Sequence, residues 1–154
     1  MRQFIKRSVS KSGLPPGSLV HIGKKHIGKT KINVIDYDSS TLSEKELTTI
    51  EESFSYKDTQ TVTWINVDGV HQLDTIEKIG KHFHLHPLVL EDIVNTEQRP
   101  KIEEFDDYFF IVLKMLYSNN KVPQTQAEQV SIILGSGFVI TFQEQVGDRY
   151  DILF

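Results

Sequence analysis

The stretch GKKHIGKTKINVIDYD, residues 23–38, supports two readings that lead to different folds. Gly23, Gly28, Lys29 and Thr30 complete the pattern G-x-x-x-x-G-K-[ST], the loop that wraps nucleotide phosphates between a strand and a helix. The apolar run LVHI, residues 19–22, would be the preceding strand. Phosphate binding also needs a helix to follow, because the N–H groups of a helix N-terminus point at the anion. KINVIDYD, residues 31–38, is instead rich in Val, Ile and Tyr and starts directly after Thr30, so it reads as a strand. The expectation is therefore two strands joined by an exposed basic tip, with a nucleotide-binding enzyme as the weaker alternative.

Outward from that stretch, helical and extended patterns mix without a strict βαβ repeat. Upstream, residues 1–18 are rich in Ser, Lys, Gly and Pro and end in GLPPGS, which reads as a flexible basic arm and a turn. Downstream, TLSEKELTTIEESF, residues 41–54, carries a helix start. Ser43 with Glu46 forms a capping box, Leu42 and Leu47 a hydrophobic staple, and Leu47, Ile50 and Phe54 one apolar face. TVTWINV, residues 61–67, has β-branched residues on both faces and is expected inside a sheet. Residues 72–84 place Leu73, Ile76, Ile79 and Phe83 on one helical stripe, and a further helix starts at Pro87, a residue suited to the first helical position. Strands are expected from Tyr108 to Leu116 and on both sides of Leu134-Gly-Ser-Gly137, a Gly-rich hairpin turn. These elements predict an α/β class: a single domain over 19–154 with a mixed parallel and antiparallel sheet flanked by helices, like an αβα sandwich.

Composition narrows the function. The chain has 154 residues, enough for one buried core, and no cysteine, which excludes disulfides, thiolate metal sites and a thiol nucleophile. No apolar stretch approaches the roughly 20 residues of a spanning helix, and the basic start lacks the apolar segment of a signal peptide, so the chain as given reads as soluble. The net charge of −4 conceals an asymmetry: residues 1–31 hold eight Lys or Arg and no acid, whereas residues 32–154 hold all 21 acids. The basic arm lacks aromatic interleaving and any helix-turn-helix or RNP-like phrase, so nucleic acid is not the expected partner. An acidic body suits divalent cations.

No H-E-x-x-H or G-x-S-x-G occurs, and no enzyme activity is expected. His82 and His86 stand four apart, but His86 precedes Pro87 and is pushed out of helical geometry, which argues against a shared zinc face with His71 and His84. Glu91 and Asp92 are the polar interruption of the short helix after Pro87. Adjacent helical positions point about 100° apart, so the two carboxylates cannot close on one ion. Each can give one ligand to a hard cation such as Mg²⁺, which keeps several waters and commonly takes one or two carboxylates. The bland alternative is a pair of exposed helix acids, followed by a solvated run at Glu103, Glu104, Asp106 and Asp107.

Five phrases in this order and spacing, GLPPGSLVHIG, TWINVDGVH, HPLVLEDIVNTEQRPKIEEFDDYFFIVLKM, EQVSIIL and FVITFQEQVGD, resemble the cytoplasmic N-terminal domain of the CorA family of magnesium and cobalt transporters. The resemblance covers about residues 13–154. It implies the intracellular part of a homopentameric transporter at the cytoplasmic face of the cell membrane. In that family a long helix, two membrane helices and a Gly-Met-Asn signature follow; this sequence stops about where the long helix would begin, so a domain without the pore is expected. The resemblance further implies Mg²⁺, or Co²⁺, held at subunit interfaces by acids matching Asp92 and Glu91, with co-ligands from a neighbour's long helix and only weak binding to the domain alone. Ions there would cancel carboxylate repulsion and favour a closed assembly, which loosens as Mg²⁺ falls. A zinc-transporting relative of the same fold is a further alternative.

Overall fold

A computed structural model describes residues 13–23, 28–119 and 122–145. The expected basic arm falls mostly on residues 1–12, and the tip of the opening stretch on residues 24–27; both lie outside the described residues. The elements run β1 (Lys31–Tyr37), β2 (Leu42–Leu47), a 3-10 helix (Ile50–Tyr56), β3 (Val62–Asp68), α1 (Leu73–Phe83), α2 (Pro87–Val94), β4 (Lys101–Glu104), β5 (Tyr108–Asn119), β6 (Val122–Gly135) and β7 (Phe138–Gln143). The strands form one sheet in the order β2-β1-β3-β7-β6-β5-β4. The central pair β3 and β7 is parallel, and the other neighbours are antiparallel. This is the mixed sheet with flanking helices that the α/β class predicts.

The register explains the core. Ile65 pairs with Val34 and Ile140, and Ile140 with Ile133, which pairs with Phe110. Alternate residues thus line one face of the sheet, joined by Ile32, Val67, Val112 and Phe142. Ile76, Ile79 and Phe83 of α1 and Val89, Ile93 and Val94 of α2 pack onto that face, all buried. Burial of such aliphatic side chains stabilises by about 1.5–3 kcal/mol each. The α1 stripe is the one its 3.6-residue spacing predicts. The helices approach closely where Gly80 meets Leu90: a Cβ at position 80 would lie 2.3 Å from Leu90 Cδ1.

Three local expectations are corrected. LVHI does not form a strand: Ile22 makes a single parallel bridge to Asn95, with its N–H on Val94 O at 3.1 Å. LSEKEL, read as the first turns of a helix, is the edge strand β2, fully zipped antiparallel to β1 from Ile32–Leu47 to Tyr37–Leu42. The exposed edge of β1 offers a whole row of backbone partners, which outweighs the weak helical preference of so short a run. The capping box occurs one phrase later, at Thr49 and Glu52, where Glu52 Oε1 accepts the N–H of Thr49 at 2.9 Å and starts the 3-10 helix. Finally, Glu103 and Glu104 belong to strand β4, paired with Phe110 and Phe109; Glu103 is half-buried there, whereas Glu104, Asp106 and Asp107 are exposed as the solvated run predicts.

Candidate metal site

The phosphate-loop reading is answered by β1, which starts at Lys31 and leaves Thr30 no helix to open. The Thr30 hydroxyl donates instead to Gly69 O at 2.9 Å, tying this end of the stretch to the loop after β3. The histidines are also dispersed. His82 stacks on Phe54 with ring centroids 4.0 Å apart, and His84 takes a left-handed conformation (φ 54°) that ends α1. His86 is extended, as its place before Pro87 predicts, and its Nδ1 accepts the Leu88 N–H at 3.2 Å as the cap of α2. His71 Nε2 lies 2.7 Å from Gly28 O. Among the described residues no group of three or more His, Cys, Asp or Glu is placed to hold a metal.

Glu91 and Asp92 sit in the last half of α2 and turn to different neighbours, as their angular separation requires. Glu91 Oε2 accepts the N–H of Gly17 at 2.7 Å. That contact depends on Gly17: its φ of +82° favours glycine, and a Cβ there would lie 3.0 Å from Pro87 Cβ. Asp92 turns the other way, towards β4. Its Oδ2 accepts from Lys101 Nζ at 2.6 Å and its Oδ1 from Gln98 Nε2 at 2.7 Å. The ion pair is half-buried, with 19% of the Asp92 and 27% of the Lys101 side chain exposed. Lys101 Nζ also reaches Glu103 Oε1 at 3.0 Å and lies 5.4 Å from the centre of the Phe110 ring. Burial works to lower the Lys101 pKa, and the hydrogen bonds to Asp92 and Glu103 more than reverse it, leaving the ammonium raised.

Beneath this pair lies a residue that the sequence did not single out. Gln129 of β6 is 2% exposed, and its Nε2 donates to Asp92 O at 3.1 Å and Asn95 O at 3.2 Å. The last carbonyls of a helix have no partner within it, and Gln129 supplies one for the end of α2. Its Oε1 accepts the Gln98 N–H at 3.1 Å and Lys114 Nζ at 3.3 Å. Lys114 Nζ also donates to Thr96 O at 2.6 Å, and burial lowers its pKa against the opposing pull of Glu144 and Glu97. Nothing local in QVSIIL marks Gln129 as anything but a strand residue; its role arises because β6 passes under the end of α2.

Chemically, Asp92 and Glu91 are hard oxygen donors on one rigid helix. Carboxylate oxygens are a donor type that Mg²⁺ takes, and these two side chains diverge too far to close on one ion.

Residues 59–150 match the family model described as CorA-like Mg²⁺ transporter protein. The chain is 44% identical over 146 residues to the cobalt/magnesium transport protein CorA of Thermotoga maritima, covering 95% of this chain and 41% of that protein. It therefore spans less than half the length of that relative. Among solved structures, the ZntB cytoplasmic domain from Vibrio parahaemolyticus superposes with a TM-score of 0.59 at 17% identity, over 80% of this chain and 47% of that one. The soluble domain of CorA from Methanocaldococcus jannaschii gives 0.51 at 17%, over 71% of this chain and 39% of that one. At such identities the likeness is one of fold. With the family model covering more than half of the sequence, this chain belongs to the CorA-like Mg²⁺ transporter family.

Proposed function

We propose that this chain is the Mg²⁺-sensing regulatory domain of a CorA-type transporter that moves Mg²⁺ and Co²⁺ into the cell. The observation that carries the reading is the 44% identity to the Thermotoga maritima cobalt/magnesium transport protein over 95% of this chain. In this reading the domain lies at the cytoplasmic face of the membrane in a homopentamer, and segments beyond it form the pore. No helix among the described residues is long and apolar enough to cross a membrane. Asp92 and Glu91 each supply one carboxylate oxygen to an ion whose remaining ligands are waters and residues of a neighbouring subunit. Their divergence, Asp92 towards β4 and Glu91 towards Gly17, supports two single-ligand positions over one chelate. Bound Mg²⁺ would offset repulsion between acidic surfaces of adjacent subunits and favour the closed assembly; its loss would loosen that assembly.

The test is a Mg²⁺ titration of protease protection in the longer membrane-bound protein, comparing wild type with Asp92→Asn, both confirmed pentameric. The variant loses a charged oxygen ligand, so protection should need a several-fold higher Mg²⁺ concentration. Superimposed curves would remove Asp92 from the sensor. The likeness to ZntB bears on the fold and does not favour zinc as the ion.

A further inference from the structure

Asp92 already has a cation, supplied by its own chain. Lys101 opens β4, where pairing with Val112 of β5 fixes its backbone, and its side chain points to the Asp92 carboxylate rather than to water. With Lys101 Nζ on one oxygen and Gln98 Nε2 on the other, both oxygens of the carboxylate are engaged by N–H donors. A divalent ion that takes Asp92 as a ligand repels the ammonium on the same carboxylate, so ion and ammonium compete for one negative charge. Lys101 has somewhere to go: Glu103 Oε1 is 3.0 Å from the same nitrogen, so the ammonium can release Asp92 and stay paired.

We propose that Lys101 is a tethered competitor for the cation at Asp92, held on the carboxylate when Mg²⁺ is scarce and moved onto Glu103 when Mg²⁺ is abundant. This rests on the reading of Asp92 as a metal ligand and adds the group that sets the loading concentration. The chemistry of lysine suits the role. Its ammonium is a point charge on a flexible stem and changes partner with little rearrangement, whereas an arginine fork would grip the carboxylate with two bonds. The lysine also prevents the empty site from holding Asp92 and Glu103 with no positive charge between them.

The experiment uses this chain, with MgCl₂ as the probe and NaCl holding ionic strength constant, and follows the backbone amide NMR shifts of Asp92, Ile93 and Val94. Lys101→Met should bind Mg²⁺ about tenfold more tightly than wild type, the factor that corresponds to about 1.4 kcal/mol of lost competition. Lys101→Arg should bind no more tightly than wild type. Lys101→Gln serves as the second neutral variant if Met at this edge disturbs folding. In wild type, MgCl₂ should also speed acetylation of Lys101, read by mass spectrometry, because the released amine leaves its half-buried pair. Asp92→Asn should abolish both responses. If Lys101→Met and Lys101→Gln bind within twofold of wild type while Asp92→Asn abolishes binding, the metal reading stands and the competitor is refuted. If Asp92→Asn leaves the titration unchanged in both the wild-type and Lys101→Met backgrounds, the metal reading fails and the inference fails with it.

Discussion

Replacing Gln129 with Ala should destabilise the fold well beyond what an ordinary strand residue would. Its amide donates to two carbonyls at the end of α2, and its carbonyl accepts from Gln98 N and Lys114 Nζ. Lys114 keeps Thr96 O at 2.6 Å, so the groups that lose a partner are Asp92 O, Asn95 O and Gln98 N, with the longer contact to Ser131 Oγ at 3.4 Å lost as well. An unsatisfied buried polar group costs about 1–3 kcal/mol, and the lower end applies because water can reach the half-buried loop after α2. The expected loss is thus about 3 kcal/mol. With a urea slope of about 2 kcal/mol per molar, the unfolding midpoint should fall by roughly 1.5 M. Gln129→Leu fills most of the same space without the amide and should lose nearly as much. A loss under about 1 kcal/mol for Ala, or recovery of most of the stability by Leu, would show that packing rather than hydrogen bonding holds α2 in place.

Two further outcomes follow from the same structure. His82, stacked on Phe54, has its pKa pushed below the ordinary value of 6.5, first by burial and then by the charge of Lys57. The unfolded chain then takes up the proton first, so stability is full above about pH 6.5 and declines as pH falls through the window below it. Melting temperatures measured from about pH 7.5 down to about pH 5 should fall, and His82→Phe, which keeps a ring on Phe54, should flatten that slope; an unchanged slope would acquit His82. The GKKHIGKT stretch should bind no nucleotide, since β1 follows where a helix is needed. Calorimetry with ATP and Mg²⁺ should show no saturable heat that Lys29→Ala removes, and micromolar binding lost in that variant would overturn the strand reading.

Much of the fold is legible in the sequence where one pattern is strong and uncontested. The α1 stripe of Leu73, Ile76, Ile79 and Phe83, the start of α2 at Pro87 and the β-branched interior strand β3 all follow from local periodicity and from restrictions that proline places on its neighbours. The divergence of Glu91 and Asp92 is equally local, because helix geometry alone separates adjacent side chains. The strand character of KINVIDYD, and with it the failure of the phosphate-loop pattern, belongs here too.

Tertiary structure decided the rest, because the deciding partners are remote in sequence. LSEKEL becomes a strand only when the edge of β1 is there to pair with it, and the four residues of β4 only because β5 is. Burial within β4 alternates, turning Lys101 and Glu103 inward and leaving Ile102 and Glu104 exposed. That alternation brings Lys101 onto Asp92, nine positions away, and no spacing rule foretells it. Gln129 lies 37 positions from Asp92 and meets it only because β6 runs beneath the end of α2. The sequence by itself determined that Glu91 and Asp92 share one short helix and diverge from it; the fold determined what already occupies the Asp92 carboxylate, because hydrogen bonds and ion pairs act through space and not along the chain.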